Sequence, residues 1–215
     1  IRLHYAYPTA FPDDVIDVMA SEPKICKYLD IPFQHISDRM LTAMKRRHTK
    51  ADALALIERL RERIPDIALR TTLLVGYPTE TEQDMQELEQ FVRDVRFDRL
   101  GVFAYSEEEG TYSARELRDD VPEEEKQRRV DRIMRLQEGI SLENNLARVG
   151  RTMRVIVDSR QGDYYVARSQ YDSPEVDQEI LIPAAAHQLR RGHFYDARIT
   201  AAEDYDLYGE VVPRR

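Results

Sequence analysis

Apolar residues follow two rhythms along this chain, and the rhythm changes near Gly150. Before it, short apolar runs alternate with stretches of helical period. After it, apolar and polar positions alternate with period two. The stretch from Leu69 to Glu80 sets the first pattern. Leu73, Leu74 and Val75 form a run too short for a helix, Gly76 and Pro78 punctuate it, and Met85, Leu88, Phe91, Val92 and Val95 recur behind it at helical spacing. This predicts a strand over about 68–75, a sharp turn and a helix over about 80–95. Thr79 with Glu82 three residues on reads as that helix's capping box.

The same alternation runs through the first half. Ile1–Tyr7 reads as a strand closed by Pro8, and Phe11–Ala20 as a short helix with Val15, Ile16 and Met19 inward. Tyr28–Ile31 reads as a strand stopped by Pro32. Ser37 then caps a helix carrying Met40, Leu41 and Met44. Thr49 with Asp52 opens a helix whose inner face is Ala53, Leu54, Ile57, Leu60 and Ile64. Leu100–Tyr105 is the next strand, followed by the loop Ser106–Thr111. Four strands alternating with helices predict parallel β/α units joined right-handedly. Four units are too few to close an eight-stranded barrel, so the expectation is a small open sheet or part of a barrel. A long helix from Pro122 to about Gly150 carries a narrow stripe of Val130, Ile133, Met134, Gln137 and Ile140. Beyond it, segments at Met153–Val157, Tyr164–Ala167, Glu179–Ile182, Tyr195–Thr200 and Leu207–Val212 predict a small five-stranded antiparallel barrel of OB type. Residues 1–149 and 150–215 are thus read as two domains.

Composition narrows the class. Of 215 residues, 42% are hydrophobic and 33% charged, and no apolar run is long enough for a membrane span. Cys26 is the sole cysteine, which excludes an internal disulfide or a cysteine-held cluster made by this chain alone and fits a cytoplasmic protein. Cys26 lies between a helix and a strand and reads as buried and inert. The opening Ile1-Arg2-Leu3-His4-Tyr5 looks like mid-strand, which suggests a piece of a longer protein. The net charge is −8, and Arg151–Glu210 holds seven arginines and no lysine against eleven acids. Such a barrel is expected to repel phosphate and to attract a basic protein.

Three segments should meet where the strands end: Pro32-Phe33-Gln34-His35, Val75-Gly76-Tyr77-Pro78-Thr79-Glu80, and Tyr105 with Glu109-Gly110-Thr111. Strand C-terminal ends are where parallel sheets bind ligands. Backbone groups, aromatic edges and a few polar side chains suit an adenosine-like molecule. Gly76, lacking a Cβ, lets a flat ligand approach; Gln34 suits ribose hydroxyls, and Arg70 a carboxylate if it faces the pocket. His35 reads as structural. Lys45-Arg46-Arg47-His48 reads as a solvated helix end where cations suit the dipole.

Leu29-Asp30-Ile31-Pro32-Phe33-Gln34-His35, Met44-Lys45-Arg46-Arg47-His48-Thr49, Arg70–Thr81, and Phe103-Ala104-Tyr105-Ser106-Glu107-Glu108-Glu109-Gly110-Thr111 resemble the radical S-adenosylmethionine methylthiotransferases, in particular their ribosomal-protein branch. The tail, with Ser173-Pro174-Glu175-Val176-Asp177, is similar to the TRAM domain of that family. The resemblance implies that the first part is the later portion of a partial radical-SAM (β/α) barrel and the second a TRAM barrel. It implies S-adenosylmethionine as cofactor, held by Gln34, Arg70, Val75, Gly76, Pro78, Glu80 and Tyr105, with Gly76 to Glu80 beside the adenine and Gln34 at the ribose. It implies two iron–sulfur clusters whose ligands are not in this sequence, since the Cys-x-x-x-Cys-x-x-Cys loop is missing. The intact enzyme would methylthiolate the β-carbon of an aspartate in a small-subunit ribosomal protein, docked by the acidic barrel. Direct nucleic-acid binding is not expected, and the fragment alone is expected to be inactive. The alternatives are a tRNA methylthiotransferase fragment and a non-catalytic OB-like binding module.

Overall fold

The computed structural model describes residues 1–213. Three parallel strands, β1 (Tyr28–Asp30), β2 (Ala68–Val75) and β3 (Arg99–Ala104), lie side by side in chain order. Asp30, Arg70 and Arg99 share one register row, and Leu74 stands beside Phe103. Helices α1 (Asp13–Ser21), α2 (Asp38–Ala43), α3 (Lys50–Arg63), α4 (Glu82–Val95) and a long α6 (Glu123–Leu146) surround the sheet, with a short α5 (Tyr112–Glu116) in the loop after β3. Ile16, Leu29, Leu56, Leu60, Leu69, Leu73, Val75, Leu88, Val92 and Ile133 form the main core between sheet and helices. On the sheet's other face Arg70, Thr72 and Leu74 are half-buried and Phe103 is 61% exposed, as in a barrel opened along one side.

Three local readings need correction. Ile1–Tyr7 does not form a strand: it touches the sheet through a bridge from Leu3 to Leu29 and a hydrogen bond from the Ala6 amide to Asp30. The cap of α4 is Thr81 with Asp84, a reciprocal capping box, and not Thr79 with Glu82. The sequence Thr79-Glu80-Thr81-Glu82-Gln83-Asp84 offers both registers. Thr79 is taken out of competition because its φ is +73° and its amide is spent on Asp120. Cys26, expected buried, is half-exposed in the loop before β1.

The second unit is a closed barrel of β4 (Thr152–Gln161), β5 (Tyr164–Ser169), β6 (Ile180–Pro183), β8 (Leu207–Val212) and β7 (Phe194–Ala202), in that spatial order. All pairs are antiparallel except β6 with β8, which run parallel. That one pair corrects the all-antiparallel expectation while keeping the OB order. Register shifts at Val157/Ser159 and Ile199/Ala201 supply the bulges that curl so few strands into closure. Val155, Val157, Ala167, Ile180, Ile182, Ile199 and Leu207 fill it. No helix among the described residues is long and apolar enough to cross a membrane.

The β5–β6 loop ties the barrel to the platform. Asp172, with no exposed side chain, pairs with buried Arg99. The Asp177 carboxylate accepts from the Tyr28 hydroxyl at 2.8 Å and lies 3.4 Å from Arg70. Burial, and then the Asp177 charge, push the Tyr28 hydroxyl far above the phenol range. From α6, Ser141 and Asn145 donate to the Asp204 and Glu203 carbonyls. Two of the eleven carboxylates counted as barrel surface are therefore internal to this contact, and the barrel's outer face is less acidic than its composition.

Candidate ligand-binding rim

At the C-terminal ends of the strands the three expected segments do converge. After Pro32 the chain re-enters the sheet: Gln34, at φ +69°, donates its amide to the Thr72 carbonyl and accepts from the Leu74 amide at 2.7 Å. The Tyr105 amide donates to the Val75 carbonyl at 2.8 Å. The Tyr77 and Tyr105 rings meet edge-on with centroids 5.1 Å apart. Met40, Tyr77 and Tyr105 form a small separate core beside the rim, with Met44 and Leu74 against it. Gln34, Met44, Lys45, Arg46, Leu74, Tyr77, Thr111, Tyr112 and Ser113 line a cleft of about 270 Å³. Tyr105 is buried behind this wall, and its hydroxyl has no hydrogen-bond partner. Val75 and Pro78 are buried in the turn.

The turn is held by Glu80, whose side chain is fully buried. Its Oε2 accepts from the Gly76 amide at 2.6 Å and from Arg129 of α6 at 2.6 Å. Its Oε1 lies 3.1 Å from His35 Nε2. His35 Nδ1 accepts from the Ile36 and Ser37 amides, so the ring proton sits on Nε2 and is donated to Glu80. One carboxylate thus gathers three donors from the loop after β1, the turn after β2 and α6. Glu80 was expected to touch the cofactor. Its oxygens are instead occupied within the protein, and it braces the rim from behind. Ser37 is bound similarly, donating to Asp84 Oδ1 at 2.6 Å. Burial would raise the Asp84 carboxyl, but hydrogen bonds from Arg39, Ser37 and Thr81 outweigh it and hold the group well below the usual range. Asp84 therefore stabilises the fold above the ordinary carboxylate value of 3.8, and that contribution is lost as pH falls through its depressed value.

Two other expectations change. Arg70 does not stand at the rim: it is five residues before Val75, roughly 16 Å along the strand, and pairs with Asp30 and Asp177. No pattern in its own segment signals this, because Asp177 arrives from the other domain. On its Cβ side Gly76 is packed against Lys126, so the missing side chain does not leave room there for a flat ligand either. An added Cβ would lie 2.4 Å from Lys126 Cγ, and the backbone stands at φ +73°. The glycine is required by the turn and by the Lys126 stem, whose ammonium pairs with Asp119 and Glu123. Gly76→Ala should lower stability by about 1–3 kcal/mol, read as a melting temperature several degrees lower.

Sequence reading missed α5, which brings Tyr112 to the cleft, and missed the part played by Lys45 and Arg46. The available signal for α5 was Thr111, a favoured N-cap residue, whose side chain accepts from the Ala114 amide in the structure.

Residues 1–92 match the Radical SAM superfamily and residues 149–212 match the TRAM domain. The chain is 52% identical over 212 residues to the ribosomal protein uS12 methylthiotransferase RimO of Bacteroides thetaiotaomicron. It is 54% identical to the protein of the same name from Parabacteroides distasonis and 53% identical to that from Porphyromonas gingivalis. Each alignment covers 99% of this chain and 49% of the relative, so the chain spans about half the length of the curated relatives it matches. Among solved structures, coproporphyrinogen III oxidase (HemN) from Escherichia coli, a radical SAM enzyme, superposes with a TM-score of 0.54 at 20% identity. It covers 66% of this chain and 32% of the HemN chain. At that identity the likeness concerns the partial-barrel fold alone.

Proposed function

Because the chain belongs to the radical S-adenosylmethionine methylthiotransferases, we propose that it supplies the nucleoside-binding rim and the substrate-docking barrel of an enzyme that methylthiolates the β-carbon of an aspartate in ribosomal protein uS12. The observation that carries the reading is the convergence of Gln34, the Val75–Glu80 turn and Tyr105 on one sheet edge beside a cleft. The rim fits S-adenosylmethionine: it offers half-buried Gln34, apolar Leu74 and Met44, and the unpartnered Tyr105 hydroxyl behind the wall. Gln34 would hold the ribose, the backbone at Val75, Gly76 and Pro78 would flank the adenine, and Tyr105 would close the rear. When bound, the cofactor supplies the radical chemistry. The task of these residues is to fix the nucleoside and exclude water. Iron–sulfur clusters do not fit the side chains here: Cys26 is the sole cysteine, and no three His, Cys, Asp or Glu among the described residues group to hold a metal. Cluster ligands would come from polypeptide outside these residues, in a cytoplasmic enzyme acting on ribosomal protein. The chain by itself would be inactive.

The test is an intact-mass measurement of uS12 from cells with and without the gene. The methylthio-bearing mass should vanish with the gene. Unchanged uS12 with loss of a methylthiolated tRNA nucleoside would contradict the reading. One feature favours that second reading. Arg154 lies 4.4 Å over the exposed Phe194 ring, beside Arg2, Lys24 and Arg168 in a cleft of about 690 Å³, a stacking platform with cations that suits single-stranded nucleic acid. Steeply salt-dependent tRNA binding would identify it.

A further inference from the structure

Lys45 is exposed, as expected of a solvated helix end, but with half-buried Arg46 it also lines the rim cleft. After α2 the backbone of Lys45 turns left-handed, at φ +55°, and the Lys45 and Arg46 amides bond back to the Thr42 and Leu41 carbonyls. This reversal carries both side chains to the rim cleft. The Lys45 ammonium lies 3.3 Å over the Tyr112 ring. The Arg46 guanidinium donates to the Pro32 carbonyl at 2.8 Å and lies 5.1 Å over the Tyr7 ring, and its Nε is buried without a partner. Neither cation has a carboxylate within ion-pair distance among the described residues, whereas Arg70, Arg99, Lys126, Arg129 and Arg132 all do. In a chain of net charge −8, two cations held by rings and a carbonyl, with no counter-ion, are arranged for an anion from outside.

We infer that Lys45 and Arg46 form the carboxylate-binding end of the rim cleft, with Lys45 the direct donor. This rests on the nucleoside reading above, which brings two carboxylates to the rim: that of the amino-acid arm of the sulfonium nucleoside and that of the target aspartyl side chain. The cleft of about 270 Å³ is lined by Gln34 and by apolar Leu74 and Met44, and among the described residues Lys45 and Arg46 are its sole charged lining residues, a mixture that suits a molecule that is a nucleoside at one end and an amino acid at the other. Cations fixed by aromatic faces need little reordering on binding, so the charge acts at low entropic cost.

Calorimetric titration of the 215-residue chain tests this with three probes. They are S-adenosylhomocysteine, methylthioadenosine (which lacks the amino-acid arm) and N-acetyl-aspartyl amide. The variants are Lys45→Gln, which keeps the left-handed residue non-glycine and removes the charge from a polar side chain one bond shorter, and Lys45→Arg, which keeps the charge. Both should melt with the parent. If the arm's carboxylate is the ligand, Lys45→Gln weakens S-adenosylhomocysteine about tenfold, leaves methylthioadenosine unchanged, and Lys45→Arg restores most of the loss. If the aspartyl carboxylate is the ligand, the loss falls on the aspartyl probe. Equal affinity of parent and Lys45→Gln for all three probes would overturn the inference while leaving the nucleoside rim standing. Failure of the parent to bind any probe would overturn both.

Discussion

Replacing Glu80 by alanine should unfold the rim, with a melting temperature lower by on the order of 10 °C or with insoluble protein. The carboxylate is fully buried and receives His35 Nε2–H, the Gly76 amide and the Arg129 guanidinium. Deleting it strands the His35 ring N–H and the Gly76 amide in a buried site and leaves the Arg129 guanidinium with Glu125 and the Glu80 carbonyl as its remaining partners. Breaking a buried charged pair on one side costs about 3–5 kcal/mol, a large share of the roughly 5–15 kcal/mol by which domains are stable. Glu80→Gln should be nearly as damaging despite its similar shape. Three donors converge on the group, and a carboxamide presents two further N–H donors where a carboxylate presents lone pairs alone. Differential scanning calorimetry of both variants checks this. A Glu80→Gln protein that melts with the parent would show that the brace carries little energy.

The second large effect is expected at the junction between platform and barrel. Asp172→Ala should separate their unfolding and lower stability by about 3–5 kcal/mol, because it leaves the Arg99 guanidinium buried and unpaired. Arg99→Met combined with Asp172→Leu should recover much of that loss, since apolar replacement of both partners removes the stranded charge. The pH dependence carries a sign. Burial would raise the Asp172 carboxyl, but the Arg99 charge and the Ser169 hydroxyl hold it below its ordinary 3.8. Its stabilisation is therefore complete above the unfolded value and fades as pH falls below 3.8 through the depressed value. Asp30, raised chiefly by burial, works in the opposite sense. The gap in melting temperature between parent and Asp172→Asn should be constant from neutral pH to about pH 5 and should close in stronger acid. A gap that widened on acidification would contradict the assignment.

These two sites also mark what the sequence could and could not disclose. Periodicity located β2, α3, α4 and the five barrel strands, because burial of a single face imposes period 3.6 or 2 wherever an element lies on a core. The meeting of strand ends followed from parallel topology. The roles of individual charged residues did not follow. Glu80 meets Arg129 from 49 positions away and His35 from 45, so nothing local distinguishes it from a cofactor ligand. Arg70 belongs to the junction only because the β5–β6 loop carries Asp177 beneath the sheet. Thr79 and Thr81 were degenerate as caps until the turn's dihedral angles were known. Lys45 and Arg46 looked like no more than a solvated helix end because sequence does not reveal the left-handed residue that redirects them.

The central claim is that the rim formed by Gln34, the Val75–Glu80 turn and Tyr105 is a nucleoside site. The most direct test is a backbone-amide NMR titration of the chain with S-adenosylhomocysteine. Saturable shifts at Gln34, Leu74, Gly76, Tyr77 and Tyr105, with the amides around Arg70 and Asp177 unmoved, are the expected result. Shifts confined to the junction or to the barrel, with the rim unmoved, would contradict it.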